Sequence, residues 1–546
     1  MSGESTKNNS EQNATRTEAP SFYVRKSSGL IRGISSRNAL FSNLIAMGLI
    51  GNCFWIVWAS ALYPNANLPD TVFIALALNL LIAFVYWMFS TAMPRTGGDY
   101  IYVGRTIHPV VGFMTNAMFV VMMVSWAGIM PAYAAQYGLQ IMYSNLAVVT
   151  GNSYFANVAM WLTTQPAIFM VGFVIVSAII LLMFLPVKWI FRVLMGIFVA
   201  QVAIYAILVG LLVTNTNASF TASFAAKSGT TVAALISAAS TSGVTFGITL
   251  GGTVFGLVYT MISFIGYANS AYFAGEIKGD PRKSQGIAIV LGTAIFAVFL
   301  YILYAEIYNV FGHDFIVAAS TLATSGNSAW ASVTNSFPSP VFLVTYLTNN
   351  PVLVALIPFG LVLTFVGFGL AYFFIPVRNI FAWAFDRVIP VKFAEVNKRG
   401  VPWVAIILYG LIAYVSLYAA VYTSVFTYFS YSNFGWWLAV ALVMFSAAIF
   451  PYRRKDIFES SPSMVRKKIG GVPVLAIAGV VAGILSLYVS FSTLLPGYSG
   501  IALNPAYVLS MLLIFAVAGV IYAISYYYHK SKGLPLEVIS KELPPV

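Results

Sequence analysis

Charge is what this 546-residue chain has least of: Asp, Glu, Lys and Arg together make up 8% of it, against roughly 25% in an ordinary soluble protein. No soluble surface can be built at that density. With 60% hydrophobic residues, the chain reads as a polytopic membrane protein. Cysteine is nearly missing, and the lone Cys53 excludes both an internal disulfide framework and a cysteine-ligated metal cluster. Three histidines, His108, His313 and His529, stand far apart, and none has a zinc-type spacing. There is no P-loop or other nucleotide motif, which argues against a primary pump. Carboxylates are scarce and scattered, so an intramembrane hydrolase or lipid transferase does not fit either. The expected sites include no catalytic group, no metal and no cofactor. Residues 1–28 lack the apolar core of a signal peptide and read as a polar, disordered tail.

What the chain has in abundance is long apolar runs. A spanning helix needs about 20 such residues, and twelve stretches qualify: 39–63, 70–92, 108–143, 166–186, 189–214, 250–277, 285–311, 351–385, 402–422, 433–450, 472–494 and 505–528. With the N-terminus in the cytoplasm, all 28 basic residues except Lys227 fall on the cytoplasmic side, as the positive-inside rule requires. Both termini are then expected inside, in a cell (plasma) membrane. The net charge of +13 is topological, and no nucleic-acid partner is expected. Two external connections are long, 215–249 and 313–350; the second carries apolar pieces suited to the membrane surface or to capping an outer vestibule. The link PRTGGDYIYVGRTI at 94–107 suits a small re-entrant element.

Two spans are interrupted. The first carries NLIAMGLIGNCFW, with Gly48, Gly51, Asn52 and Cys53 at mid-membrane. The sixth, around 264–284, carries Phe264, Ile265, Gly266, Tyr267 and Asn269 at the same depth; its helix then resumes and ends on Glu276 and the charges beyond. In hydrocarbon, irregular backbone survives only where it lines a protected cavity. The two interruptions lie five spans apart, so they cross the membrane in opposite directions. That is the pattern of an inverted-repeat transporter with its substrate at the midplane. Freed amides attract a carboxylate and freed carbonyls an ammonium, so two broken helices side by side suit an α-amino acid. Glycines also let helices pack closely; a single pair would read that way, but two matching Gly-plus-Asn interruptions read as a site.

The chain then divides into a tail (1–37), a first five-helix repeat (38–214), an external loop (215–249), a second repeat (250–450), a loop with two appended helices (451–528) and a second tail (529–546). The expected fold class is an all-α polytopic membrane protein of twelve transmembrane helices.

Three segments carry a resemblance to a known family. PRTGGDYIYVGR (94–105) resembles the Pro-x-Ser-Gly-Gly-x-Tyr segment of the amino acid–polyamine–organocation permeases. GYANSAYFAGEIKGDP (266–281) resembles their Gly-Phe-Glu…Glu-x-x-x-Pro segment, and VRNIFAWAFDRVIP with KRGVP (377–402) is similar to their loop after helix 8. The resemblance implies a leucine-transporter-like inverted five-helix repeat plus two extra helices. It implies that the backbone of Gly51, Asn52 and Cys53 receives a substrate carboxylate. By the same token Phe264, Ile265 and Gly266 offer carbonyls to the amine, and Tyr267 is an aromatic lid. Cys53 replaces the family's second glycine, and Ala268 replaces its common Glu.

Arg37 is a gating candidate that would pair with Asp386 or Glu276, or else a charge that anchors its helix at the interface. For coupling, Glu306, Thr364 and Gln201 are the candidates. Glu306 lies near the outer end of its span, where a solvated role suits it better than proton carriage. A two-hydroxyl sodium site is not evident, which favours proton symport or exchange. Trp126, Pro131 and Tyr133 either face the pathway or pack. The functional expectation is a secondary transporter for neutral amino acids working by alternating access in a lipid bilayer. The alternatives are a polyamine or other organic-cation carrier, or a non-transporting amino acid sensor.

Overall fold

A computed structural model describes residues 29–30, 32–425, 431–495, 502–533, 536 and 543–544. The polar tail at 1–28 lies outside them. Among the described residues, eleven helices are long and apolar enough to cross a membrane. The protein is an all-α polytopic membrane protein, and its only sheet among those residues is the two-residue pair β1 (Lys468–Ile469) and β2 (Val472–Pro473).

The first span is two helices, α1 (Ser36–Met47) and α2 (Asn52–Leu62), separated at Gly48. Next come α3 (Leu68–Ala92) and the short, wholly buried α4 (Asp99–Thr106), which is the inward-folded link expected at 94–107. The third span runs through α5 (Pro109–Tyr133), a π-helical turn at Ala134–Leu139, and α6 (Gln140–Thr150). Pro131 lies just ahead of that turn; its missing amide and its ring disturb the regular ladder there. Then follow α7 (Ser153–Trp161), α8 (Gln165–Met183) and α9 (Val187–Val213).

The stretch 215–249 is more ordered than an external loop. It forms α10 (Asn217–Ser228) and α11 (Val232–Thr241), each started by a threonine hydroxyl, Thr216 or Thr231, that accepts a first-turn amide.

The sixth span departs most from a plain rod. α12 (Leu250–Ser263) stops after 14 residues, and the chain continues as two 3-10 turns, Asn269–Tyr272 and Ala274–Glu276. The sequence pattern predicts an α-helix again up to Glu276; the chain instead stays unwound there. One cause is Gly266, whose φ of 118° lies outside the helical region. Another is Asn43, which takes the Ser270 amide that a helix would use. The sixth span of the sequence reading, 250–277, is therefore α12 together with this unwound stretch, and it is the one of the twelve that is not among those eleven long helices.

The regular helix returns in α13 (Pro281–Gln285), a π turn at Gly286–Leu291, and α14 (Gly292–Phe311). The second long connection holds α15 (His313–Thr324), α16 (Ser328–Ala331) and α17 (Pro340–Leu343). Its apolar side chains, including Phe315, Leu322 and Val341, are buried, and α15 packs on α2. It caps the bundle. α18 (Pro351–Phe385) has 35 residues; at 1.5 Å each that is about 50 Å, well beyond a hydrocarbon core of about 30 Å. The chain finishes with α19 (Trp403–Tyr422), α20 (Ser432–Arg453), α21 (Lys455–Ser460), α22 (Val474–Ser492) and α23 (Pro505–Ser531). The most apolar window of α23 is only 17% buried, leaving most of it for lipid.

The two breaks touch. A Cβ on Gly266 would stand 2.6 Å from the Ala46 carbonyl oxygen at the end of α1. Gly266→Ala should therefore lower stability by roughly 1–3 kcal/mol through backbone strain alone, and by more through the clash. Thermal melting of the purified protein in detergent checks this against Gly196→Ala, whose Cβ meets nothing within 4 Å. Equal melting points for the two variants would contradict the contact.

Candidate functional site

In the first break four successive backbone amides are left unpaired. Gly48 still donates to Leu44, and Cys53 and Phe54 donate to Ile50 and Gly51. The amides of Leu49, Ile50, Gly51 and Asn52 make no hydrogen bond among the described residues. Asn52 partly closes the gap itself: its Nδ2 donates to the Gly48 carbonyl at 2.8 Å, and its buried Oδ1 accepts nothing. Cys53 is fully buried, and its carbonyl accepts from the Ser339 hydroxyl of the 313–350 connection.

In the second break the carbonyls of Phe264 and Gly266 already accept from the amides of Tyr267 and Asn269. Of the three carbonyls expected to hold an amine, only that of Ile265 accepts none. Tyr267 is buried beside Tyr86, and Asn269 keeps an unpaired Nδ2.

Asn43, which sequence reasoning passed over, joins the two breaks. Its Nδ2 donates to the carbonyls of Tyr267 and Ala288, and its Oδ1 accepts from the Ser270 amide at 2.9 Å. Ser270 Oγ in turn donates to Gln285 Oε1 at 2.8 Å. A wholly buried asparagine inside a spanning helix was itself the available signal, since such a group needs partners.

A cavity of about 50 Å³ opens where α1 and α12 both end. Ala46, Met47, Ile262, Ser263 and Ile265 line it from those ends. The rest of the wall is Trp55, Met122, Trp126, Met130, Tyr259, Phe368, Tyr372 and Trp436, with Ser432 and Asn433 as its polar edge. None of these side chains is charged. The carbonyl ends of two helices carry partial negative charge, which suits an ammonium group. Of the residues expected at the site, only Ile265 lines this space; Gly48, Gly51, Asn52, Cys53, Phe264, Gly266, Tyr267 and Asn269 do not. Phe368 is the reason on the first-span side. Its ring lies so close to the break that a Cβ on Gly48 would come within 2.4 Å of it.

Trp126 thus faces the cavity, whereas Tyr133 joins a ring cluster with Phe54, Tyr137, Phe337 and Phe365. A second, polar cavity of about 270 Å³, lined by Gln136, Gln140 and Asn335, reaches Tyr137 and Phe337 on the far side of that cluster. The rings separate the two spaces.

The gating pairs differ from those expected. Arg37 is exposed. Glu276 instead holds Arg378 through two hydrogen bonds of 3.0 Å, both side chains buried, with the guanidinium over the Phe374 ring. Asp386 accepts from Arg105 and from the Tyr100 hydroxyl. Since Arg105, Glu276, Arg378 and Asp386 all lie in the three motif segments, these bonds tie those segments together.

The coupling candidates scatter. Glu306 is half-buried and accepts from Asn309. The Thr364 hydroxyl donates to Gly360 of its own helix, and its methyl lies against the first break. Gln201 is fully buried with neither amide atom partnered.

A family model described as Amino acid permease matches residues 39–532. The chain belongs to the amino acid permease family. A stretch of 79 residues is 30% identical to "Uncharacterized protein 399" of Sulfolobus islandicus rod-shaped virus 1. That stretch is 14% of this chain, and the chain spans 20% of the viral protein's length.

Removing one member of a buried ion pair leaves a bare charge behind. Arg378→Met should cost roughly 3–5 kcal/mol, with much of it recovered when Glu276→Gln is added, whereas Arg37→Ala should stay within about 0.5 kcal/mol. Melting points in detergent check all three. A similar loss for the Arg37 and Arg378 variants would contradict the pairing.

Proposed function

We propose that this permease is a secondary transporter, working by alternating access, for neutral amino acids with large apolar side chains, coupled to protons by symport or exchange. The observation that carries the reading is the cavity at the ends of α1 and α12, walled by tryptophan, tyrosine, phenylalanine and methionine with no charged side chain. Aromatic rings and thioethers suit a bulky apolar side chain. A polyamine would need acidic groups there.

In this reading the substrate ammonium lies against the C-terminal ends of α1 and α12, where Ile265 has a free carbonyl. The carboxylate goes to the unpaired amides of Leu49, Ile50, Gly51 and Asn52 at the start of α2. Phe368 must swing aside for that, because about 50 Å³ holds little more than a water or two at roughly 30 Å³ each. The ring cluster around Phe54 and the ion pairs of Arg105 and Arg378 then serve as barriers at the two ends of the path. Alternating access is motion of the repeat 38–214 against the repeat 250–450, with both termini in the cytoplasm and the chain in the plasma membrane.

Counterflow in proteoliposomes tests this. Vesicles preloaded with unlabelled L-phenylalanine should accumulate labelled L-phenylalanine. Leucine, methionine and tryptophan should compete strongly, glycine weakly and a diamine not at all. Binding without counterflow would mean a sensor of the same fold. Best competition by the diamine would overturn the substrate class.

A further inference from the structure

Asp99 is a fully buried carboxylate that belongs neither to the cavity nor to the two buried ion pairs. Among the described carboxylates it alone is fully buried without a basic partner, since Glu276 has Arg378 and Asp386 has Arg105. It opens α4, in the link between the second and third spans. Its Oδ2 accepts from the Tyr272 hydroxyl, and its Oδ1 is buried with no partner at all. A bare carboxylate in such a place is costly, and a proton on the orphan oxygen removes the charge.

Its surroundings are phenolic on every side. Tyr86 faces it from α3, Tyr272 and Tyr267 from the unwound part of the sixth span, and Tyr102 from its own helix. α5 contributes the Phe119 ring against Tyr272. The nearest guanidinium along α4, that of Arg105, is committed to Asp386. Burial pushes the Asp99 carboxyl up to about 7, while the hydrogen bond from Tyr272 and the nearby Tyr86 hydroxyl hold it back from going higher. It therefore changes charge in the neutral range: protonated below that point, ionised above it.

The same residue is wired to both moving parts. The Gly97 amide donates to the Tyr272 carbonyl at 2.9 Å, and Thr96 pairs with Phe273 as an antiparallel bridge. Those residues continue the stretch that Asn43 fastens to the first break. On its other side, α4 carries Arg105, so parting the Arg105–Asp386 pair moves the helix that Asp99 begins.

We propose that Asp99 is the proton-binding group of the transport cycle, gaining a proton on Oδ1 while the link is packed on the unwound sixth span and losing it when the two separate and water enters. The proposal rests on the reading of the chain as a proton-coupled amino acid carrier. Protonation forms one O–H bond with a proton taken from water, and nothing else in the covalent structure changes.

The test is a pair of variants in proteoliposomes, with labelled L-phenylalanine followed both in counterflow and in accumulation driven by a pH gradient. Asp99→Asn keeps an acceptor for Tyr272 but cannot ionise; it should lose gradient-driven accumulation and show counterflow that no longer varies with pH. Tyr272→Phe removes a hydroxyl that favours the anion, so the pH midpoint of transport should move up, and it serves if Asp99→Asn does not fold. Wild-type accumulation and pH dependence in Asp99→Asn, or a midpoint that stays put or falls in Tyr272→Phe, would overturn the proposal. Wild-type counterflow without any response to the pH gradient would overturn it too, while leaving the carrier reading intact. Absence of wild-type counterflow would overturn both.

Discussion

A peptide amide with no acceptor costs several kcal/mol in hydrocarbon, and this chain sets four in succession, on Leu49, Ile50, Gly51 and Asn52, inside its first span. The rest of the architecture answers that cost. α18 presses the Phe368 ring and the Thr364 methyl onto the gap. Asn52 turns its own amide back on Gly48, and the 313–350 connection reaches the Cys53 carbonyl through Ser339. The second break is brought within van der Waals reach, and only a glycine at 266 permits that approach. The break is thus covered by groups that can leave. Rings rotate and helices shift, whereas a continuous helix has no unpaired donors to offer a ligand.

The two breaks are joined by an amide network rather than by charge. Asn43 bonds to Tyr267, Ser270 and Ala288, and Ser270 extends the network to Gln285. Neutral hydrogen bonds of this sort contribute about 0.5–1.5 kcal/mol each and bury no ion. Two buried ion pairs, Glu276–Arg378 and Arg105–Asp386, knit the three motif segments together. Buried pairs are costly to desolvate and strongly destabilising to break.

Much of this was legible in the sequence. Eleven of the spans followed from apolar length alone, and both interruptions from glycine beside asparagine at mid-membrane. What the sequence hid were choices between equivalent partners. Arg37, Arg105 and Arg378 are alike as letters, and only the bundle's geometry decides that Glu276 meets Arg378 and leaves Arg37 exposed. The sixth span could not be read as unwound to Glu276, because its competitor for the Ser270 amide lies 227 residues away. Nor does composition tell which carbonyls are already taken; Phe264 and Gly266 are, and Ile265 is not. The stretch 215–249 was underestimated because its helices are short, with threonine caps in place of long apolar runs.

At the centre stands the claim that peptide groups, not charged side chains, hold both ends of a zwitterion. Calorimetric titration of the purified protein with L-phenylalanine, with its N-acetyl derivative and with its amide tests it directly. The account predicts that the free amino acid binds and that each blocked form loses most of that affinity, because one helix end is left without its counter-charge. Equal binding of all three would contradict it.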